Sequence, residues 1–335
     1  MPPTFSLTPS RRRMLTGMLG AAAATILPGT LRAQTYPSRP IRLLVPVSAG
    51  GGTDLIARVV ADATSRVMSQ SWVVENQAGA GGQIATQALA RSEPDGHHLM
   101  IGYVSTHGTL PALRDVPFDP VADFTRIAMI GGAPNVLVCN AGTGPKTFSE
   151  FLSQVRAAPG KASFGSAGVG TITHLVFEHL KIAADIDVLH VPYRGIAPAI
   201  NDLMAGQIGY SMPGMAGAIA GIRSGKLRAL AVSGRARHRL LPDIPTFQEQ
   251  GLAGFEALQW VGIMGPAGLP EPITQILNAS INKALSDPAL EDKLSTEGIE
   301  IMPMSPQEFA HYAETDLNRW HEVVKVQGLR TGSKQ

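Results

Sequence analysis

Phe164-Gly165-Ser166-Ala167-Gly168-Val169-Gly170-Thr171-Ile172-Thr173-His174-Leu175 is the stretch whose reading decides the fold. Residues 161–164 ahead of it have the makings of a short strand. Behind it, Ile172, Leu175, Val176, His179 and Leu180 recur at helical spacing. A glycine-rich turn between strand and helix leaves backbone N–H groups without intrahelical acceptors, and the helix dipole adds roughly half a positive charge there. The stretch therefore reads as an anion site built from main chain and hydroxyls. The device recurs upstream: Ser48-Ala49-Gly50-Gly51-Gly52-Thr53 matches Ser166 to Thr171 in five of six positions. It too follows a strand, Ile41 to Val45, and opens a helix. Two such cradles predict two lobes gripping one anionic ligand.

Outward from the cradles, strands and helices alternate along the chain, which predicts an α/β fold with mostly parallel sheets. A strand over 99–104 runs into Ser105-Thr106-His107-Gly108, a polar loop at a carboxyl end, where open α/β sheets place ligands. A later strand, 187–191, runs into Pro192-Tyr193-Arg194-Gly195, and another, 208–211, into Pro213-Gly214. The apolar segment 135–140 is expected to cross into the second lobe and 255–264 to cross back. The lobes are then 34–136 with 261–335, and 137–260, the terminal helices packing on the first. The candidate ligand contacts are Val47, Ser48, Gly50, Gly51, Thr53 and Asp54 from the first cradle, and Ser105, Thr106 and His107 from the polar loop. Ser166, Ala167, Gly168, Gly170 and Thr171 come from the second cradle, with Tyr193, Arg194 and Pro213 beyond it. Asp54 has two readings, a helix cap or a contact to a ligand amine or water. Arg194 likewise reads as a ligand contact or an ion pair.

Composition excludes several classes. With 44% hydrophobic and 16% charged residues in 335, the chain can bury a sizeable core. Residues 1–33 hold Arg11, Arg12, Arg13 and Arg32 and no acid, so the remainder carries 24 basic against 26 acidic side chains. That balance leaves no electrostatic footprint for nucleic acid. The arginines precede a short apolar run, 14–27, and Leu31-Arg32-Ala33, which together read as a signal peptide cut near Ala33 and similar to a twin-arginine signal. A periplasmic monomer is the expectation. The lone Cys139 forms no intramolecular disulfide.

No cofactor or metal is expected. In a dinucleotide fingerprint a third glycine would stand where Thr173 is, and no Gly-Lys-Ser/Thr follows either cradle. His174 and His179 are five apart, about 140° around a helix, and share no face for zinc. The alternatives left open are an exported hydrolase of anionic esters, with His107 or His174 serving Ser166, and a ligand sensor docking on a membrane kinase.

The ordered set of motifs resembles the extracytoplasmic receptors of tripartite tricarboxylate transporters, the Bug-type family. The matching residues are Tyr36-Pro37-Ser38-Arg39-Pro40-Ile41, the turn from Val45-Pro46 to Asp54, and Glu75-Asn76-Gln77-Ala78-Gly79-Ala80-Gly81-Gly82. Pro94-Asp95-Gly96, Pro117-Phe118-Asp119-Pro120, the second cradle through His174-Leu175, and Val191-Pro192-Tyr193-Arg194-Gly195 complete it. Val47-Ser48 departs from the pattern of many relatives. The resemblance implies a type II periplasmic binding protein, two α/β lobes joined by crossover strands with a ligand cleft between them. It implies a non-enzymatic receptor for a small carboxylate, partnered by membrane subunits of such a transporter; the two cradles favour a dicarboxylate, aromatic diacids such as terephthalate included.

Overall fold

The computed structural model describes Met1 and residues 36–330; the expected leader and its cut near Ala33 lie outside the described residues. From Arg39 onward the elements run β1 (Ile41–Val45), α1 (Gly52–Met68), β2 (Trp72–Asn76), α2 (Gln83–Ala90), β3 (His98–Tyr103), α3 (Leu110–Leu113), β4 (Phe124–Pro134) and β5 (Val136–Asn140). They continue with α4 (Phe148–Ala157), β6 (Ser163–Ser166), α5 (Ile172–Ala184), β7 (Leu189–Pro192), α6 (Ile196–Met204), β8 (Tyr210–Ser211), α7 (Met215–Arg223) and β9 (Leu227–Val232). Last come β10 (Leu258–Pro266), α8 (Glu271–Leu285), α9 (Pro288–Thr296), β11 (Glu300–Ile301) and α10 (Pro306–Val326).

Local chemistry explains the boundaries. Thr147 caps α4 by accepting the Glu150 N–H at 3.1 Å, and Asp287 caps α9 by accepting from Ala289 at 2.9 Å. Ser305 and Glu308 form a reciprocal capping box at the start of α10. α1 turns Ile56, Ala57, Val60 and Ala61 inward at helical spacing and leaves Leu55 and Arg58 outside.

The strands form two sheets, ordered β11-β4-β10-β3-β1-β2 and β7-β6-β8-β5-β9. The expectation of mostly parallel sheets is corrected. β1 runs parallel to β2 and β3, and β6 to β7 and β8, but β10 is antiparallel to β3 and β4, and β5 to β8 and β9. The reversal has a topological cause. β4–β5 carries the chain out of one sheet into the other and β10 brings it back, so these strands do not follow the direction set by βαβ crossovers.

The outward crossing is interrupted only at Asn135. That side chain is fully buried and donates to Met212 O at 2.8 Å, while its N–H donates to Ser233 Oγ at 2.8 Å. Ser233 Oγ in turn donates to Ala257 O and Ser233 O accepts from the Ala257 N–H. Out-going and returning segments are thus fastened to each other. The terminal helices α8 and α10 pack on β4 of the first sheet; α10 also reaches α5. Asp316 on α10 accepts from Trp260 Nε1 of β10 at 2.7 Å and from Trp320 Nε1 at 2.9 Å, and pairs with Arg319 at 2.7 Å. A carboxylate only 1% exposed is tolerable because each oxygen is met by a donor.

Candidate functional site

After β1 the first glycine loop turns sharply. Gly50 sits at φ +90, the left-handed region, which aims its N–H at Asp54 Oδ2, 2.9 Å away. Asp54 is 3% exposed and also receives Arg58 Nε at 3.0 Å and Asn76 Nδ2 at 2.8 Å; Asn76 Nδ2 further donates to Val47 O. Burial alone would raise this carboxyl, but the bonds from Arg58, Gly50 and Asn76 and the arginine's charge bring it down to about 2. Asp54 therefore braces its own loop. At the start of α1, the N–H groups of Gly51, Gly52 and Thr53 have no acceptor among the described residues. This is an open helix N-terminus of the expected kind.

The second loop is more self-contained than its sequence suggests. Gly168 N–H donates to Ser166 Oγ (3.1 Å), Ala167 N–H to Thr173 Oγ1 (2.9 Å) and Gly170 N–H to His174 Nδ1 (3.1 Å). Thr171 Oγ1 donates to Gly168 O at 2.8 Å and lies 3.0 Å from Thr173 Oγ1. Hydroxyls and one imidazole thus absorb main-chain donors that glycine spacing alone leaves open. Gly168 at φ +128 and Gly170 at φ +81 give the loop its shape.

Three cavities adjoin where the two sheets meet. One, about 370 Å³, is lined by Gly81, Tyr103, Ser105, Thr109, Leu110, Leu113, Arg114, Val169, Gly170 and Thr171. A second, about 330 Å³, is bounded by Gly52, Thr53, Tyr103, Ser105, Ala133, Ala216, Gln259 and Glu297, among others. A third, about 290 Å³, joins Ala167, Thr171, Ile172 and Thr173 to Gly214, Met215, Ala216, Gln259 and Glu297. Shared walls at Tyr103 and Ser105, at Thr171, and at Ala216, Gln259 and Glu297 make one cleft of them. The N-termini of α1, α5 and α7 all open into it.

Of the residues expected at a ligand, Thr53, Ser105, Ala167, Gly170 and Thr171 line this cleft. Val47 is half-buried and Ser48, Gly50 and Gly51 are exposed, and none of the four lines the three cavities. Thr106 and His107 are corrected: 105–109 is a helical turn, not an open loop, and both residues are buried. His107 Nδ1 lies 2.9 Å from Thr106 Oγ1 and its ring packs edge-on to Phe124, with burial and Arg126 holding its pKa well below the usual value. Tyr193 is tied to Asp202 at 2.7 Å, and its ring lies over Gly165, where an added Cβ would come within 3.1 Å. Arg194 is exposed and lines none of the three cavities, and no ion pair holds it among the described residues. Pro213 is buried, its carbonyl accepting the Val136 N–H just before Gly214 reaches the cleft.

Sequence reading missed Tyr103, Ala216, Gln259 and Glu297. Two had a signal: Gln259 lies on the segment expected to cross back between lobes, and Tyr103 at the carboxyl end of the strand expected over 99–104. Glu297 follows α9 near the chain's end and is brought to Gly52 only by folding: a Cβ built on Gly52 would lie 2.8 Å from its Oε2.

A nucleophile–base pair exists on paper, because Ser166 Oγ is 2.6 Å from His190 Nε2. His190, not His107 or His174, is its partner. Ser166 has no exposed surface, lines none of the cavities and already takes the Gly168 N–H, so its oxygen cannot meet a substrate carbonyl. Burial, then the neighbouring His174, hold His190 down at about 4. The pair stiffens the loop.

Two α/β sheets crossed by outgoing and returning strands, with helix N-termini facing a cleft at the crossing, define a solute-binding protein of the periplasmic type. The chain belongs to the tripartite tricarboxylate transporter receptor family, whose description, "Tripartite tricarboxylate transporter family receptor", matches residues 56–329. It is 32% identical over 319 residues to Protein BugT of Bordetella pertussis, covering 94% of this chain and 98% of that protein. Rpa4515 of R. palustris, solved with adipate, superposes with a TM-score of 0.72 at 30% identity, covering 88% of this chain and 98% of that one. MatC (Rpa3494) of Rhodopseudomonas palustris, solved with bound malate, gives 0.70 at 32%, covering 86% and 100%. The family is one of receptors, not enzymes, and its members are periplasmic binding proteins.

Proposed function

We propose that this chain is an extracytoplasmic receptor that captures a small carboxylate in the cleft and presents it, as a monomer, to membrane subunits of a tripartite tricarboxylate-type transporter. The observation that carries the reading is the convergence of three helix N-termini on adjoining cavities that residues of both sheets wall together. Such ends offer N–H donors and positive partial charge to an anion. Adipate and malate on two solved relatives support the same ligand class. Of the described residues from Arg39 onward, the first lobe takes 39–136 with 261–330 and the second 137–260, and the crossings near Asn135 and Ala257 act as the hinge. A ligand touching loops of both lobes binds the closed state better, and only such differential affinity shifts the population. Adipate, malate and aromatic diacids such as terephthalate are the first compounds to screen.

The test is a thermal-shift screen of matched mono- and dicarboxylates and uncharged analogues, followed by small-angle scattering with the best ligand. Stabilisation by carboxylates and a smaller radius of gyration are expected. Stabilisation by uncharged compounds alone would overturn the ligand class, and unchanged scattering at saturation would overturn the clamp.

A further inference from the structure

One carboxylate in the cleft belongs to the protein. Glu297 lines both the cavity at the first loop and the cavity at the second. Its Oε2 stands against the N-terminus of α1 at Gly52, and the next residue, Gly298, packs against Met215 at the start of α7. Its side chain makes no hydrogen bond or ion pair among the described residues. Gln259, which shares both cavities, is also without a hydrogen bond there, and its amide lies against Gly214, where a Cβ would come within 2.3 Å of Nε2. Neither Arg nor Lys lines either of these two cavities; Arg114 lines the adjoining third, where its Nη2 donates to Ala80 O at 3.0 Å.

We infer that Glu297 determines specificity, selecting a ligand with one carboxylate and a hydrogen-bond-donating opposite end, an ammonium or a primary amide, over a dicarboxylate. This rests on the carboxylate-receptor reading above. Three helix ends supply roughly half a positive charge each. In the two cavities it lines, which hold no cationic side chain, Glu297 cancels about two of those halves and leaves a field suited to one ligand carboxylate. A second ligand carboxylate in the same cavities would meet a like charge with no cationic side chain between them, and like charges a few ångströms apart repel even near solvent. An ammonium or amide N–H instead finds an unoccupied acceptor in Glu297, and Gln259 supplies a further carbonyl. The ligand's carboxylate then belongs at the opposite side of the cleft, where Thr171, Thr173 and the start of α5 lie.

The experiment is calorimetry on wild type and Glu297→Gln with matched sets: glutarate, 5-aminopentanoate and glutaramate; terephthalate and 4-carbamoylbenzoate. Wild type should bind the amino or amide member of a set at least tenfold more tightly than the diacid. Glu297→Gln, near-isosteric at a partly exposed position, should shift that ratio at least tenfold toward the diacid, with the melting temperature unchanged. A wild-type preference for the diacid, or a ratio that Glu297→Gln leaves unmoved, overturns the inference and leaves the carboxylate reading standing. Failure of every carboxylate to bind both proteins overturns the two together. Glu297→Asp, which keeps the charge, should retain the wild-type order; a diacid preference in that variant also overturns it.

Discussion

Replacing Thr171 by Val removes a hydroxyl that lines two of the three cavities and keeps the side chain's shape. In the ligand-free loop this hydroxyl donates to Gly168 O at 2.8 Å. Gly168 O has two other donors, the Thr171 N–H at 3.3 Å and Ser166 Oγ at 3.2 Å. The fold therefore loses the bond to Gly168 O and the 3.0 Å bond with Thr173 Oγ1, together about 1–2 kcal/mol, and strands no buried acceptor. A hydroxyl bonding a charged group is worth roughly 1.5–3 kcal/mol, but here it must first release Gly168 O, so the net contribution to binding is about 0.5–2 kcal/mol. Thr171→Val should thus weaken carboxylate binding by roughly two- to thirtyfold. Its melting temperature should drop only a few degrees. Calorimetry beside Arg194→Ala decides the matter. Arg194 is exposed and outside the cavities, so its loss should cost less. If Thr171→Val is silent while Arg194→Ala abolishes binding, the arginine carries the ligand's charge. The second loop is then only a well-capped helix start.

Ser166→Ala should behave differently, as a stability variant: it strands the Gly168 N–H and His190 Nε2 in a buried site, at about 1–3 kcal/mol, readable by urea unfolding without ligand. Asp316→Ala should cost about 3 kcal/mol or more, since it leaves two buried indole N–H groups and Arg319 without their acceptor; a melting temperature within 2 °C of wild type, on the order of the smallest resolvable change, would contradict this. The Asp54 carboxyl, depressed from 3.8 to about 2, contributes stability that is fully present above 3.8 and lost as pH falls towards 2, so acid unfolding of Asp54→Asn should be flatter than wild type in that window. His179 and His190 lie at about 4 instead of 6.5, chiefly through burial, and the folded state excludes their protons. Stability should therefore decline as pH falls from 6.5 to 4; an unchanged melting temperature across that range would refute their buried, neutral state.

Local patterning was enough to place most of this molecule. The strand-glycine-helix units, the helix from Pro306 onward and the return strand near 255–264 were legible because hydrophobic period and glycine punctuation act within a few residues. The same locality explains what went astray. Ser105 to Gly108 read as a polar loop, yet it winds into a helical turn because Thr106 and His107 find partners in each other, Tyr103 and the Phe118–Phe124 aromatic cluster. Glycine spacing promised free N–H groups in the second loop, and Thr173, His174 and Ser166 took three of them. By itself, then, the sequence determined the α/β class, the two helix-opening loops and the want of a cationic side chain in them. Only the tertiary structure brought Gln259 and Glu297 to those loops. Charge and hydrogen-bond complementarity at a cleft is a sum over residues from distant parts of the chain, and no local period encodes it.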